Sequence, residues 1–310
     1  MTAFTKALWV VRDKITTAAA IDDLIEAAAT RGIFDLVTQV RGRGDAYYRS
    51  TLEPRAEALF EDIDPLDRLI RYGGTAGIRI HAWANVFFVW SHPEGRLPRD
   101  PSHIVHRHPE WLLRPDGVAA LDPAGGKDWE GIYTDPANAA ARAFTIDVFE
   151  DVVRRYRVES LHYDYVRYPQ VTYAKSPDDH ANVTTLVRDS AARLRAARPD
   201  VAISAAVFPD PPVARDRVLQ RWPDWAAQGL VDLLCPMAYR KDTAECARVL
   251  TAARAAAPNT RMWGGLMAYS GEPERLRDQV RVARDVGCQG SILFAYDPEQ
   301  RGLLDVFASA

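Results

Sequence analysis

The chain has 310 residues, 47% hydrophobic and 26% charged, which is ordinary globular usage and excludes disordered, collagenous and low-complexity classes. Lys and Arg number 39 against 42 Asp and Glu, a formal net charge of −3, so non-specific nucleic-acid binding is poorly served. Three cysteines, Cys235, Cys246 and Cys288, are too few and too scattered for a disulfide framework or a zinc knuckle.

Taken in chain order, the sequence repeats one unit: a short apolar run, a polar loop, then an Ala/Arg/Asp/Leu segment of helical period. The opening MTAFTKALWVVRD stops its apolar run at Arg12 and Asp13, too soon for a signal peptide. The expectation is a cytoplasmic protein, or an exported one if an export signal has been removed. No stretch reaches the ~20 apolar residues of a membrane span. Strands are expected at Leu8–Val11, Asp35–Val40, Ile78–Phe88, Ser160–Tyr168, Val201–Phe208, Asp232–Tyr239, Arg261–Tyr269 and Ser291–Asp297. Helices are expected at Thr17–Arg31, Pro65–Ala76, Pro136–Tyr156, Asn182–Arg198, Val213–Gln228, Thr243–Ala257 and Pro273–Val286, with a short piece from Pro298. Prolines near helix starts and Gly32, Gly77, Gly229 and Gly287 at helix stops support these bounds. About eight such units predict an α/β fold, a single (β/α)8 TIM barrel spanning 1–310. A doubly wound open sheet usually carries a Gly-rich phosphate loop after its first strand; here Val11-Arg12-Asp13-Lys14 stands there. Residues 89–135 form a long, proline-rich loop, expected to be a lid or insertion on the active-site face.

Active sites of such barrels form at the C-terminal strand ends. After the second strand, QVRGRGDAYY (39–48) offers Arg41 and Asp45 as ligands of a polar substrate, or as members of a salt-bridged turn. On the third strand, period-two alternation puts His81, Trp83 and Asn85 on one face, which suits a cleft wall; a core histidine also fits His81. On the fourth, LHYDYVRYP (161–169) places His162 and Asp164 together. A carboxylate in an apolar, aromatic strand must be paired or reactive, and Arg167 is its expected partner, holding it ionised. Asp210 follows the fifth strand in a stiff proline turn, as an acid/base group or an ordinary cap. The sixth to eighth strands end in Tyr239, Tyr269 and Tyr296, expected as an aromatic rim for sugar rings. Asp297 is a further rim carboxylate, and Glu272 a weaker one. His103, His106 and His108 lack the helical spacing of a zinc site.

The motifs ALWVVRD (7–13), QVRGRGDAYY (39–48), HAWANVFFVWS (81–91), HPEWL (108–112), LHYDYVRYP (161–169), LCPMAY (234–239) and ILFAYD (292–297) resemble the glycosyl-hydrolase-like ten family. The resemblance spans nearly the whole chain in order. It implies a TIM-barrel hydrolase acting on glycans, in some members bacterial cell-wall glycan. It also implies Asp164 as the fourth-strand acid, with His162, Arg167 and Tyr168 beside it. Arg41 and Asp45 correspond to the family's arginine–aspartate loop, and His81, Trp83 and Asn85 to its third-strand triplet. The segment after Pro169 is shorter than the aromatic stretch common in relatives.

The expected function is glycoside hydrolysis of an oligo- or polysaccharide by two carboxyl groups. Asp164 is expected as nucleophile or stabiliser. The general acid is sought at Asp210 first, then Asp297 or Asp45. His81, Asn85 and Arg41 would bind hydroxyl or acidic groups. No metal or organic cofactor is required. Two alternatives stand: a catalytically silent glycan-binding barrel, and a metal-dependent hydrolase or lyase using His162 and Asp164.

Overall fold

The computed structural model describes residues 4–114, 122–125, 130–170, 177–268 and 272–310. Its strands are β1 Thr5–Val10, β2 Asp35–Arg41, β3 Arg79–Asn85, β4 Phe88–Trp90, β5 Ile132–Tyr133, β6 Ser160–Asp164, β7 Ala202–Val207, β8 Leu233–Pro236, β9 Arg261–Met267 and β10 Gly290–Phe294. Eight of them close a parallel barrel in the order β1-β10-β9-β8-β7-β6-β3-β2. The seam pairs Ala7 with Ile292 on one side and Trp9 with Val37 on the other. The fold is the expected (β/α)8 barrel.

The helices are α1 Ala18–Ala29, α2 Pro65–Thr75, α3 Ile104–Arg107, α4 Ala139–Arg155, α5 Pro177–Ala197, α6 Pro211–Val218, α7 Trp222–Ala227, α8 Thr243–Ala256, α9 Pro273–Asp285 and α10 Arg301–Ser309. Side-chain oxygens cap several: Thr17 on α1, Asp64 on α2, Asn138 on α4 and Asp242 on α8. The cap at Asn138 moves the start of α4 past Pro136. The single helix expected at Val213–Gln228 is two, because Leu219 takes a left-handed turn (φ 58°) and Pro223 then opens α7.

Alternation along the strands sorts the core into two shells. Leu8, Val10, Leu36, Ala82, Leu161 and Ile203 face outward into the main core under the helices. Burying each such Leu or Ile contributes about 1.5–3 kcal/mol. Ala7, Trp9, Val37, Trp83, Ala206, Cys235, Trp263 and Ile292 fill the barrel interior. Glycine admits the largest of these: a Cβ on Gly265 would lie 3.0 Å from the Trp9 ring and 2.8 Å from the Pro236 carbonyl oxygen. Within the long loop, β4 pairs antiparallel with β5 (Phe88 opposite Tyr133), which brings the end of that loop back over the barrel mouth.

Candidate active site

A cavity of about 620 Å³ opens at the C-terminal ends of the strands. Trp9, Trp83, Phe88, Tyr165, Tyr239 and Phe294 supply its aromatic walls, and Asp164, Glu130, Asn85 and Gln39 its neutral and acidic polar groups. Arg12, Arg167, Arg217 and Arg240 also line it.

Asp164 ends β6. The strand expected to run to Tyr168 stops here, because Tyr165 is left-handed (φ 50°). Such a conformation costs a non-glycine residue about 1–3 kcal/mol. It is held by contacts: the Tyr165 ring stacks on Phe88 at 4.8 Å, and the Arg167 guanidinium lies 4.7 Å from the same ring. The turn points the Tyr165 N–H at Asp164 Oδ1, 2.7 Å away.

The expected Asp164–Arg167 pair does not form. Arg167 Nη2 instead donates to Glu130 Oε1 at 2.7 Å, and Tyr133 donates its hydroxyl to Glu130 Oε2 at 2.7 Å. The two carboxyls consequently titrate apart. Burial pushes Asp164 up to about 6, outweighing the Tyr165 N–H, the Arg167 charge and Trp83, while the Glu130 charge pushes it further up. Burial also acts to raise Glu130, but the Arg167 charge and the hydrogen bonds from Tyr133 and Arg167 outweigh it, so its pKa falls below the ordinary value. Asp164 is thus the carboxyl that keeps a proton longest and Glu130 the one that stays ionised.

Asn85 sits level with Asp164 across the β3–β6 ladder. Its Oδ1 accepts from the Trp83 indole at 3.1 Å and from Gln39 at 3.3 Å, and its amide donates to the Gly42 carbonyl at 2.6 Å. These contacts fix the Trp83 ring in the wall. Tyr239 stacks on Phe294 (5.5 Å, 27°), and both rings meet Trp9 edge-on.

His162 and His81 are not on the cavity surface. They belong to a buried chain beneath Trp9. The Trp9 indole can only donate, so His162 Nε2 accepts from it at 3.1 Å. The proton is then on Nδ1, facing Ser204 Oγ at 2.9 Å. Ser204 meets Ser160 at 3.3 Å, Ser160 meets His81 Nδ1 at 2.7 Å, and His81 Nε2 donates to Asp35 at 3.0 Å. Every donor in this chain is directed toward Asp35. Burial would raise Asp35, but hydrogen bonds from His81 and Arg79 hold it below its ordinary pKa. Burial drives His162 down to about 3, helped by the nearby His81, so the imidazole under Trp9 is neutral.

Other expected site residues are used elsewhere. Arg41 is buried and forms a fork on Glu53 (2.7–3.0 Å), while also donating to the Asn85 carbonyl. It braces the barrel rim from behind. Asp45 is buried outside the cavity lining; its Oδ1 accepts from the Arg43 N–H at 2.8 Å, and its Oδ2 has no hydrogen-bond partner among the described residues. Asp210 caps α6, accepting from the Val213 N–H at 3.3 Å. Asp297 is a cap as well, accepting from the Glu299 N–H at 3.0 Å, and that bond lowers its pKa. Neither lines the cavity, so the general acid expected among them is not brought to Asp164. Tyr296 is buried and donates to Asp23 at 3.2 Å; Phe294 takes the place expected for it. Tyr269 lies outside the described residues, as does the segment following Gln170. Among the histidines of the long loop, His103 bonds the Arg43 carbonyl (2.7 Å), His106 the Pro98 carbonyl (2.7 Å), and His108 stacks on Trp111. Among the described residues no group of three or more His, Cys, Asp or Glu is placed to hold a metal ion.

Of the expected ligands, Asp164, Trp83, Asn85, Arg167 and Tyr239 share the cavity. Trp9, Gln39 and Arg12 also line it and were visible as inward positions of the first two strands and their ends. Glu130 had no local signal, since it lies in the aperiodic loop.

The chain is 22% identical to the glycosyl hydrolase YngK of Bacillus subtilis (strain 168), covering 70% of this chain and 48% of that protein. An S-layer-related protein of Niallia circulans is 23% identical over half of this chain and 10% of its own length. The chain thus spans about half or less of these curated relatives. Among solved structures, alpha-L-fucosidase isoenzyme 2 from Paenibacillus thiaminolyticus superposes with a TM-score of 0.70 at 15% identity, covering all of this chain and 49% of its own. The endo-beta-1,4-mannanase from Thermotoga petrophila gives 0.63 at 10% identity, covering all of this chain and 77% of its own. These two share the barrel. The model of the glycosyl hydrolase-like 10 family matches residues 1–276, and the chain belongs to that family.

Proposed function

We propose that the protein hydrolyses O-glycosidic bonds of a polysaccharide, with Asp164 as proton donor and Glu130 as the ionised partner. The carrying observation is that two carboxyls of one aromatic-walled cavity have pKa values pushed apart, one up to about 6 and the other down, the pattern that separates acid from base in glycoside cleavage. The family and the glycosidase barrels it resembles support the same reading. Asp164 gives its proton to the glycosidic oxygen as the bond from that oxygen to the anomeric carbon breaks. A water oxygen then completes the anomeric carbon, and its proton passes to a carboxylate. Glu130 stabilises the cationic sugar or takes part in that second half. Trp9, Trp83 and Tyr239 present flat rings to the sugars.

The test is product release from a glycan panel that includes peptide-free cell-wall glycan, with wild type, Asp164→Asn and Glu130→Gln. Each variant is expected to lose at least ~100-fold in rate. Wild-type rate should fall as pH rises through about 6, where Asp164 gives up its proton. A glycoside with a strongly acidic leaving group needs no proton donor, so it should restore much of the rate to Asp164→Asn and little to Glu130→Gln. Full cleavage by Asp164→Asn would overturn the reading. Binding without cleavage by wild type would instead identify a silent glycan-binding barrel.

A further inference from the structure

The cavity's charge runs against that of the molecule. The chain carries −3, yet four arginines and two carboxyls line the cavity. Arg167 and Glu130 neutralise each other at 2.7 Å. Arg12 and Arg240 line the same cavity.

Arg12 and Arg240 are held in place by hydrogen bonds to neutral oxygens. Arg12 follows β1. Its Nη1 donates to Gln39 Oε1 at 2.8 Å, and its stem crosses Gly42 so closely that a Cβ there would lie 2.4 Å from Cδ. Arg240 follows β8. Its Nη1 donates to the Tyr239 carbonyl at 3.1 Å, and Gln279 fixes its backbone by donating to its carbonyl at 2.8 Å. Among the described residues neither makes a salt bridge, whereas Arg41, Arg79, Arg96 and Arg193 all do. In the barrel order, β1 and β8 are three strands apart and each lies two or three strands from β6, which carries Asp164. The two arginines therefore enter the cavity from strand ends on different sides of the one that carries Asp164.

Two oriented guanidiniums with no salt bridge among the described residues, in a cleft walled by apolar rings, form a receptor for anions: the planar fork matches a carboxylate, and low-dielectric walls concentrate the field. We propose that the substrate is an acidic saccharide whose carboxylates are bound by Arg12 and Arg240 on either side of the bond facing Asp164. This inference rests on the glycosidase reading for the nature of the ligand and adds its charge.

The experiment measures calorimetric binding to the intact Asp164→Asn protein, and cleavage by wild type, with two acidic probes. One is oligogalacturonate, with its carboxylate on the sugar ring. The other is a peptide-free strand containing N-acetylmuramic acid, with its carboxylate on an ether side chain. Each is compared with its carboxyl-reduced, neutral form. At least one acidic probe should bind ~10-fold or more tightly than its neutral form, as a charge-assisted pair predicts. That preference should shrink in Arg12→Gln and in Arg240→Gln, made in the same background, and should weaken as salt rises. The probe that shows it identifies the position of the carboxylate. Gly42→Ala, which crowds the Arg12 stem, should reduce the preference while leaving Arg12 present. Equal binding of acidic and neutral forms, no binding of either acidic probe, or a preference untouched in both arginine variants overturns the proposal. Acid-selective binding by a protein that cleaves nothing sinks the hydrolase reading and keeps this one. Cleavage indifferent to the carboxylate does the reverse.

Discussion

At Asp164, removing the charge should reveal what burial costs. The folded value of about 6 lies above the ordinary 3.8, so the folded state keeps a proton that the unfolded chain releases between those values. This group's contribution is most favourable below pH 3.8 and is lost as pH rises through about 6. Asp164→Asn should therefore be more stable than wild type above pH 6, by up to about 3 kcal/mol at 1.36 kcal/mol per unit, with the gain vanishing below pH 4 in denaturant titrations. His162 works with the opposite sign. Its folded value of about 3 lies below 6.5, so its contribution is complete above 6.5 and is lost as pH falls toward 3. His162→Gln, which can still accept from Trp9 and donate to Ser204, should flatten that acid limb of the stability profile. The inward placement of both residues was legible in the strand alternation. Their roles were not, because whether an inward side chain reaches solvent or ends beneath a tryptophan depends on its depth in the barrel.

Among the elements, α6 offers a direct contrast between capping and chemistry. Asp210 accepts from the Val213 N–H, and asparagine caps a helix as well as aspartate does. Asp210→Asn should leave activity and stability near wild type, while Asp210→Ala should cost about 1 kcal/mol of stability with little change in rate. A large loss of rate in Asp210→Asn would return it to the reaction. The loop after β2 depends on a second buried device. Arg41 and Glu53 are both almost fully buried and form a fork. Glu53→Gln leaves the guanidinium charge without its counter-charge, and thermal unfolding should report a loss of about 3–5 kcal/mol. The proline turn and the arginine–aspartate loop were both plain in the sequence; the partner that each side chain chose was set by elements distant in the chain.

For the molecule as a whole, closure of the ring depends on its last elements. The family match ends at residue 276, but β10 pairs with both β1 and β9, and α10 buries Leu304 and Phe307. Asp305 of α10 also pairs with Arg31 at 2.7 Å, and Arg301 with Asp23. Removing residues 301–310 should lower unfolding free energy by about 3–6 kcal/mol, from the two large side chains alone. Urea titration checks this. An unchanged midpoint would show that the seam is held by strand pairing alone.

The sequence by itself determined the barrel, because eight apolar runs alternating with helical segments have few other ways to bury both faces of their strands. It also determined the aromatic, acid-bearing character of the fourth barrel strand, since a two-residue period is a local property. Only the tertiary structure decided which carboxyl shares the cavity with Asp164. Glu130 comes from an aperiodic loop returned by the β4–β5 ribbon, and it takes the arginine that sequence proximity assigned to Asp164. A pairing between residues 37 positions apart is fixed by closure of the fold, and the protonation states of both carboxyls follow from that pairing and from burial.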